Sequence, residues 1–503
     1  MPYDGGASAG SHPRKLATLG RVFGMSPASP SKCRVLELGC AVGTNLIHLA
    51  ASLPDSEFVG IDLFESQIVE ARKRAEALGL RNIRFEAADI MEFGGGEEPF
   101  DYILACGVFS WVPEAVQVRM LELCGQLLAP QGIAYITYNI LPGWYMRLPV
   151  RELMIMAAGQ GTVADRVRRA AGILDFVLRA ASTSPDLGGR EDRTWESIIR
   201  REREILDTMP AEYVAHEHLE ENNRPIYFKD FVDMASAQGL QYLAESGVAQ
   251  MFPLELEQDI QNELDRMTNS QVGLEQLLDF IRGRQFRQTL LCRSAVDVQR
   301  NLDGLRLDGM YLSVQGEIVQ AETSDGPADV PRLRDGGATV RLGDPEVAAV
   351  IKTLVAAAPR QLSIDELLPR TLDGAHRARL EKILIKMFLS GIVRLEVEPT
   401  RLSTVIGERP RASRPAIVTR SREEVTNLLH QDVLLSPLAS ALIELLDGTR
   451  DRAAMLRDLR TGIAQEGPDG PLAGLLAEAG TLESTLEDAL AEIRAKALLE
   501  PED

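Results

Sequence analysis

The stretch Val35-Leu36-Glu37-Leu38-Gly39-Cys40-Ala41-Val42-Gly43-Thr44-Asn45 decides the fold class. It opens as a short apolar strand, turns through small residues at alternate positions, and runs into a helical apolar pattern. Small residues in a strand-to-helix turn let backbone approach a ligand with no side chain between them. Two ligand classes use such a turn. A dinucleotide fingerprint needs small residues at 39, 41 and 44, and Thr44 fails the last. The acidic-x-Gly-x-Gly-x-Gly pattern of S-adenosylmethionine enzymes needs 37, 39, 41 and 43; Glu37, Gly39 and Gly43 fit, and Ala41 departs. A plain strand-to-helix turn also favours glycine, so the turn alone leaves the choice open.

Working outward, short apolar runs alternate with helical periods. Arg34–Leu38, Phe58–Asp62, Ile83–Ala87, Tyr102–Cys106 and Gly132–Tyr138 read as strands; Asn45–Ser52, Ser66–Leu78 and Pro113–Leu128 read as helices. That order predicts an α/β fold with a Rossmann-like, doubly wound parallel sheet, whose ligands bind beyond the carboxyl ends of the strands. Asp62, followed by Leu63, closes the second strand, where a carboxylate can accept both ribose hydroxyls; Ser66 is available to cap the next helix instead. Asp89 closes the third strand and suits an adenine amino group, with Ile90 against the ring. Three such positions together favour S-adenosylmethionine.

Residues 147–225 read as a helical insertion, including Thr162–Ala181 and Thr194–Met209 around a loop at Ser182–Arg193. Phe228–Gln238 is a helix, and Leu240–Ala244 and Phe286–Cys292 are strands that close the sheet; a separate all-helical domain over 147–285 is the alternative. Beyond Val296, helices Asp344–Ala357, Ser363–Leu368 and Ala375–Leu389 with a strand Ile392–Val397 suggest a winged-helix-like module. After a Pro/Arg-rich linker, Thr400–Arg422, a similar order recurs through Ser436–Leu446, Thr449–Leu459, Thr481–Lys496 and the strand-like Ala497-Leu498-Leu499.

Composition narrows the function. The 503 residues are 45% hydrophobic and 25% charged, enough for a sizeable core and against disorder. A net charge of −20 disfavours a general nucleic-acid binder. Arg379, Lys382 and Lys386 share one face of a tail helix, but from Val296 onward 25 basic residues meet 34 acidic ones, which favours protein docking over DNA. No apolar run reaches membrane-spanning length, and the start has no secretory signal. Five cysteines in apolar runs read as reduced core thiols of a cytoplasmic protein. His216 and His218 are too close for HExxH, so no metal is expected.

The chain resembles class I S-adenosylmethionine-dependent methyltransferases, in particular a bacterial group that joins this core to a methyltransferase regulatory domain and includes protein-lysine methyltransferases acting on outer-membrane proteins. The resemblance rests on Glu37–Asn45, Gly107-Val108-Phe109-Ser110-Trp111-Val112-Pro113 and Tyr138-Asn139-Ile140-Leu141-Pro142-Gly143-Trp144. It continues through His216-Glu217-His218-Leu219-Glu220, Pro225-Ile226-Tyr227-Phe228 and Arg284–Cys292. It implies a core over 12–146, a regulatory-type region over 147–298, and winged-helix-like modules over 299–400 and 416–503. The N-terminal segment, which covers the active site in the group, is short but keeps Tyr3-Asp4 and His12-Pro13.

The expected reaction is an in-line displacement at an already activated methyl, so the protein chiefly orients a nucleophile. Glu37, Gly39, Ala41, Gly43, Asn45, Asp62, Leu63, Asp89, Ile90, Cys106 and Gly107 are the expected cofactor residues. Tyr138, Asn139 and Trp144 are the expected catalytic residues, and Phe109 and Trp111 the expected substrate-binding ones. These aromatic groups would form a wall that receives an amine, ordinary core packing being the alternative for Trp111 and Trp144. The expected substrate is a protein or peptide presenting lysine, which the resemblance alone implies; a homodimer is compatible. The rivals are a methyltransferase for a small molecule or ribosomal peptide, and a non-catalytic S-adenosylmethionine-binding scaffold.

Overall fold

The structure, a computed structural model, describes residues 6–501 except 7, 97, 184–193, 303–304, 320–330, 336–337, 372–376, 420–423, 467–471 and 473–480. The alternating apolar runs form one seven-stranded sheet. Its strands are β1 (Arg34–Leu38), β2 (Glu57–Asp62), β3 (Ile83–Ala87), β4 (Phe100–Ala105), β5 (Leu128–Asn139), β6 (Leu240–Glu245) and β7 (Phe286–Arg293), in the order β3-β2-β1-β4-β5-β7-β6. β1 to β5 are parallel and β7 is antiparallel to both neighbours, with Thr137 opposite Gln288 and Tyr138 opposite Arg287. Leu240–Ala244 and Phe286–Cys292 thus rejoin the sheet after the helical insertion, as the sequence predicts.

Period-two alternation sorts the strand residues between two buried layers. Val35, Phe58, Tyr102 and Tyr135 pack with helices α1 (Pro13–Val22), α2 (Thr44–Ser52) and α3 (Glu65–Ala77). Leu36, Val59, Ile103, Ile136 and Tyr138 pack on the other face with α4 (Glu114–Leu127) and the helix Phe228–Ser236. The first layer runs on without a break into the helices Pro345–Ala357 and Arg377–Leu389 and the strands Tyr311–Ser313, Leu362–Ser363 and Arg394–Glu396. The insertion has its own core around Val150, Met154, Leu174 and Val214, and residues 412–499 have another.

Several expectations change. Most of the loop expected over 182–193 lies outside the described residues, as do 375 and 376 of the third tail helix. The expected linker over 400–422 holds a helix, Arg414–Thr419, whose Ala416 is fully buried. Ala497–Leu499 is not a strand but makes one isolated bridge, Ala412 to Leu499. Ser66 does not cap α3: Phe64 holds that position, and Asp62 Oδ1 accepts from its amide at 3.0 Å.

Gly43 has φ +75° and caps α2; a Cβ there would stand 2.5 Å from Phe85 Cζ, so only glycine closes this turn against β3. Ala41, in place of the pattern's middle glycine, adopts φ +48°. That left-handed conformation costs an L residue about 1–2 kcal/mol, against about 0.5–1 for the extra freedom of glycine in the unfolded chain. Ala41→Gly is therefore expected to be neutral or stabilising by up to about 1 kcal/mol in denaturant unfolding; a loss beyond that size would show the turn is unstrained.

Candidate active site

The carboxyl ends of β1, β2, β4 and β5 open into a cavity of about 610 Å³. Glu37, Gly39, Ala41, Asn45, Asp62, Leu63, Cys106, Gly107 and Trp111 line it, together with Tyr135, Thr137, His216, Glu220, Phe286 and Gln288. The Asp62 carboxylate accepts from Ala41 N at 2.9 Å, tying the end of β2 to the glycine turn. Its oxygens keep lone pairs for further donors, as a carboxylate offers about four acceptor sites.

Glu37 is 2% exposed. Its Oε1 accepts from Asn45 Nδ2 at 2.9 Å, while Oε2 is buried with no hydrogen-bond partner among the described residues. Desolvation raises its pKa to about 7. An orphaned carboxylate oxygen facing a cavity calls for a cationic donor, which the ammonium of S-adenosylmethionine supplies. Free protein holds the proton up to about pH 7, whereas an ammonium partner favours the carboxylate, so binding below that pH expels a proton. Calorimetry in buffers of differing ionisation heat should show proton release and about tenfold weaker binding at pH 6 than above pH 8; Glu37→Gln should flatten that profile, and a flat wild-type profile would contradict it.

Asn45 is a junction. Besides Glu37, its Oδ1 accepts from Ser8 N at 3.0 Å, Ser11 Oγ at 3.2 Å and His430 Nε2 at 3.2 Å. Burial holds His430 neutral, at a pKa of about 3. The N-terminal segment thus covers one side of the cavity, with Ser8 Oγ 3.2 Å from the Tyr135 hydroxyl, and a residue of the C-terminal region braces the same corner. No local sequence pattern marks Ser8 or His430, whose contacts with Asn45 span 37 and 385 positions.

The aromatic wall is only partly where it was expected. Tyr138 is 1% exposed, stacks on Phe231 at 4.1 Å and shares a 3.0 Å hydrogen bond with Thr289 Oγ1, so it does not face the cavity. The reason is strand parity: Tyr135 and Thr137 point to the ligand side, Tyr138 to the opposite layer. Phe109 is buried in the same aromatic cluster. Trp144 is 2% exposed beneath Arg147, whose Cζ lies 4.5 Å from its ring. Asn139 is buried at the end of β5, its backbone N donating to Ser110 Oγ at 2.8 Å. None of these four lines the cavity. Gly43 sits behind the turn, and Asp89 and Ile90, just past the end of β3, lie outside this cavity; Asp89 lines a separate depression, its Oδ1 accepting from Met91 N at 2.9 Å.

Trp111 does reach the mouth, its ring 4.7 Å from His216. His218 turns inward to Glu202 (Nε2 to Oε2, 2.9 Å), so the two histidines serve different places. On β7, parity sends Phe286 and Gln288 into the cavity and Arg287 and Thr289 into a buried ionic cluster. Arg287 donates to Asp279 at 2.9 and 3.0 Å, to Glu245 at 2.8 Å and to Glu275 at 3.0 Å, with its Cζ 3.6 Å from the Phe228 ring centroid.

Residues 36–134 match a methyltransferase domain family, 210–293 a predicted methyltransferase regulatory domain, and 408–498 the family described as PKMT, C-terminal winged helix domain. The uncharacterized protein RP789 of Rickettsia prowazekii is 29% identical over 473 residues, covering 91% of this chain and 84% of that one. RP028 of the same organism is 33% identical over 246 residues, 48% of this chain and 95% of its own. The structure of PKMT2 from Rickettsia typhi in complex with AdoHcy superposes with a TM-score of 0.84 at 25% identity, over 99% of this chain and all of that one.

A sheet of this order, a glycine turn at the end of β1 and a carboxylate-lined cavity beyond it define an S-adenosylmethionine-dependent methyltransferase. Within that class, the chain belongs to the family that joins the catalytic domain to a methyltransferase regulatory domain and a PKMT-type C-terminal winged helix domain. Its cofactor is S-adenosylmethionine.

Proposed function

We propose that the chain transfers the methyl group to a nitrogen of a protein substrate, the side-chain amine of lysine. One observation carries this reading: among the described residues lining the cavity, every charged side chain is a carboxylate (Glu37, Asp62 and Glu220), with no arginine or lysine. Such a lining attracts a cationic acceptor and repels an anionic one. The full-length likeness to PKMT2, which extends through the C-terminal winged helix domain, supports a macromolecular substrate.

In this reading Glu37 Oε2 takes the cofactor's ammonium, Asp62 its ribose hydroxyls, and Asp89 and Ile90 its adenine end. When bound, S-adenosylmethionine supplies a methyl activated on a sulfonium. Trp111, Tyr135 and Phe286 wall the acceptor end, where cation–π contact admits a lysine side chain. A lysine amine must lose its proton before attack, which costs about 4–5 kcal/mol at neutral pH from its ordinary pKa. Desolvation between aromatic walls lowers that cost. Burial pulls the His216 pKa below its ordinary value, which keeps the imidazole neutral and able to accept the proton.

Full-length protein incubated with labelled S-adenosylmethionine and a cell extract should yield labelled protein, with methyl-lysine in the digest by mass spectrometry. With a labelled substrate in hand, His216→Asn should lower kcat by about a hundredfold while cofactor affinity holds, and Tyr138→Phe should leave turnover near wild type. Label confined to other residues or to small molecules would overturn the lysine assignment.

A further inference from the structure

A second cavity, about 290 Å³, lies between α1, the turn after β6 and the strand Arg394–Glu396, sharing no lining residue with the cofactor site, though His12 on its wall lies 5.2 Å, ring to ring, from His430 beside Asn45. We propose that it binds a small amphipathic anion, a carboxylate or phosphate head on a short apolar body. Three donors on its lining residues lack acceptors among the described residues. His12 is 5% exposed; its Nδ1 accepts from Arg14 N at 3.1 Å, so Nε2 carries the proton, and Nε2 is buried with no partner. Arg14 Nε is likewise buried without a partner, though its Nη1 donates to Thr400 Oγ1 at 3.2 Å. The Lys15 ammonium makes no hydrogen bond or ion pair with any described residue, although the Lys15 backbone amide donates to His12 O at 2.9 Å.

Unpaired buried donors are costly unless a ligand satisfies them. The charge balance agrees: Arg14, Lys15 and Arg394 meet one lining carboxylate, Glu396, in a chain whose net charge is −20. Glu396 accepts from Thr400 Oγ1 at 3.3 Å and forms no salt bridge with Arg14 or Lys15. Burial, reinforced by Arg394, pulls the Lys15 ammonium down to about 8. The remaining wall is largely apolar, with Leu19, Val248, Phe388 and Leu429 facing the space, which sets the chemistry of the ligand's body. All three donors lie on or beside α1, which covers the first buried layer of the sheet.

The test is thermal unfolding of the full chain with inorganic phosphate, octanoate or octyl phosphate at millimolar concentration, under saturating S-adenosylhomocysteine so that the catalytic cavity is filled. Octanoate or octyl phosphate should raise the midpoint saturably, and the stronger of the two identifies the head group. Lys15→Met should weaken that anion by about tenfold or more, the worth of one charge-assisted hydrogen bond. Lys15→Met and Lys15→Gln should both raise the midpoint of the anion-free protein, because each removes an unpaired cation. No shift with any of the three, an equal shift in Lys15→Met, or an equal effect of inorganic phosphate alone would overturn the proposal.

Discussion

Asp62→Ala is expected to weaken S-adenosylmethionine binding by about a hundredfold. The substitution removes a carboxylate proposed to accept both ribose hydroxyls, and charge-assisted hydrogen bonds contribute about 1.5–3 kcal/mol each. It also releases the Ala41 and Phe64 amides, so the glycine turn loses its tie to β2. Asp62→Asn should fall between, keeping one acceptor oxygen and losing the charge. Isothermal calorimetry reads the effect. An Asp62→Ala protein that folds and binds with wild-type affinity would show that the ribose is held elsewhere.

The largest effect on stability is expected from Arg287→Ala, a loss of about 3–5 kcal/mol in denaturant unfolding. Arg287 is fully buried, and its guanidinium is shared among Glu245, Glu275 and Asp279. Removing it leaves three carboxylates in a desolvated place with no central cation. Glu245 is also held by Arg284 Nη2 at 2.8 Å and Thr289 Oγ1 at 2.6 Å, so one cation remains to it, whereas Glu275 keeps, among the described residues, only the uncharged Tyr242 and Gln271. The cluster sits directly behind Phe286 and Gln288, so the same change should loosen the cavity wall and reduce turnover in whatever fraction stays folded. A loss under about 1 kcal/mol would mean that the carboxylates are protonated or reached by water.

The sheet was legible because period-two apolar runs and turn residues are local signals. The glycine turn was legible because close approach to a ligand excludes side chains. Nine of the eleven expected cofactor positions fall on the cavity or, for Gly43, at the back of its turn. The acceptor end was harder to read. Tyr135 and Tyr138 lie on one strand, and a one-residue choice of parity decides which tyrosine faces the ligand. The pairing of β5 with β4 on one side and β7 on the other fixes that parity. The string Phe286-Arg287-Gln288-Thr289 was conspicuous, yet its two roles separate only once alternate side chains are seen to enter the cavity and the ionic cluster. His430 at Asn45 had no sequence signal at all, since it depends on how the C-terminal region folds back over the catalytic domain.

In the proposed arrangement the glycine turn, Glu37 and Asp62 hold the nucleoside while the Trp111, Tyr135 and Phe286 end receives the amine. A crystal structure with S-adenosylhomocysteine measures this directly. Ribose hydroxyls are expected on the Asp62 carboxylate, the amino group within hydrogen-bond distance of Glu37 Oε2, and the sulfur turned toward the Trp111 side of the cavity. A nucleoside bound away from Asp62, or a sulfur pointing toward β3, would contradict this arrangement.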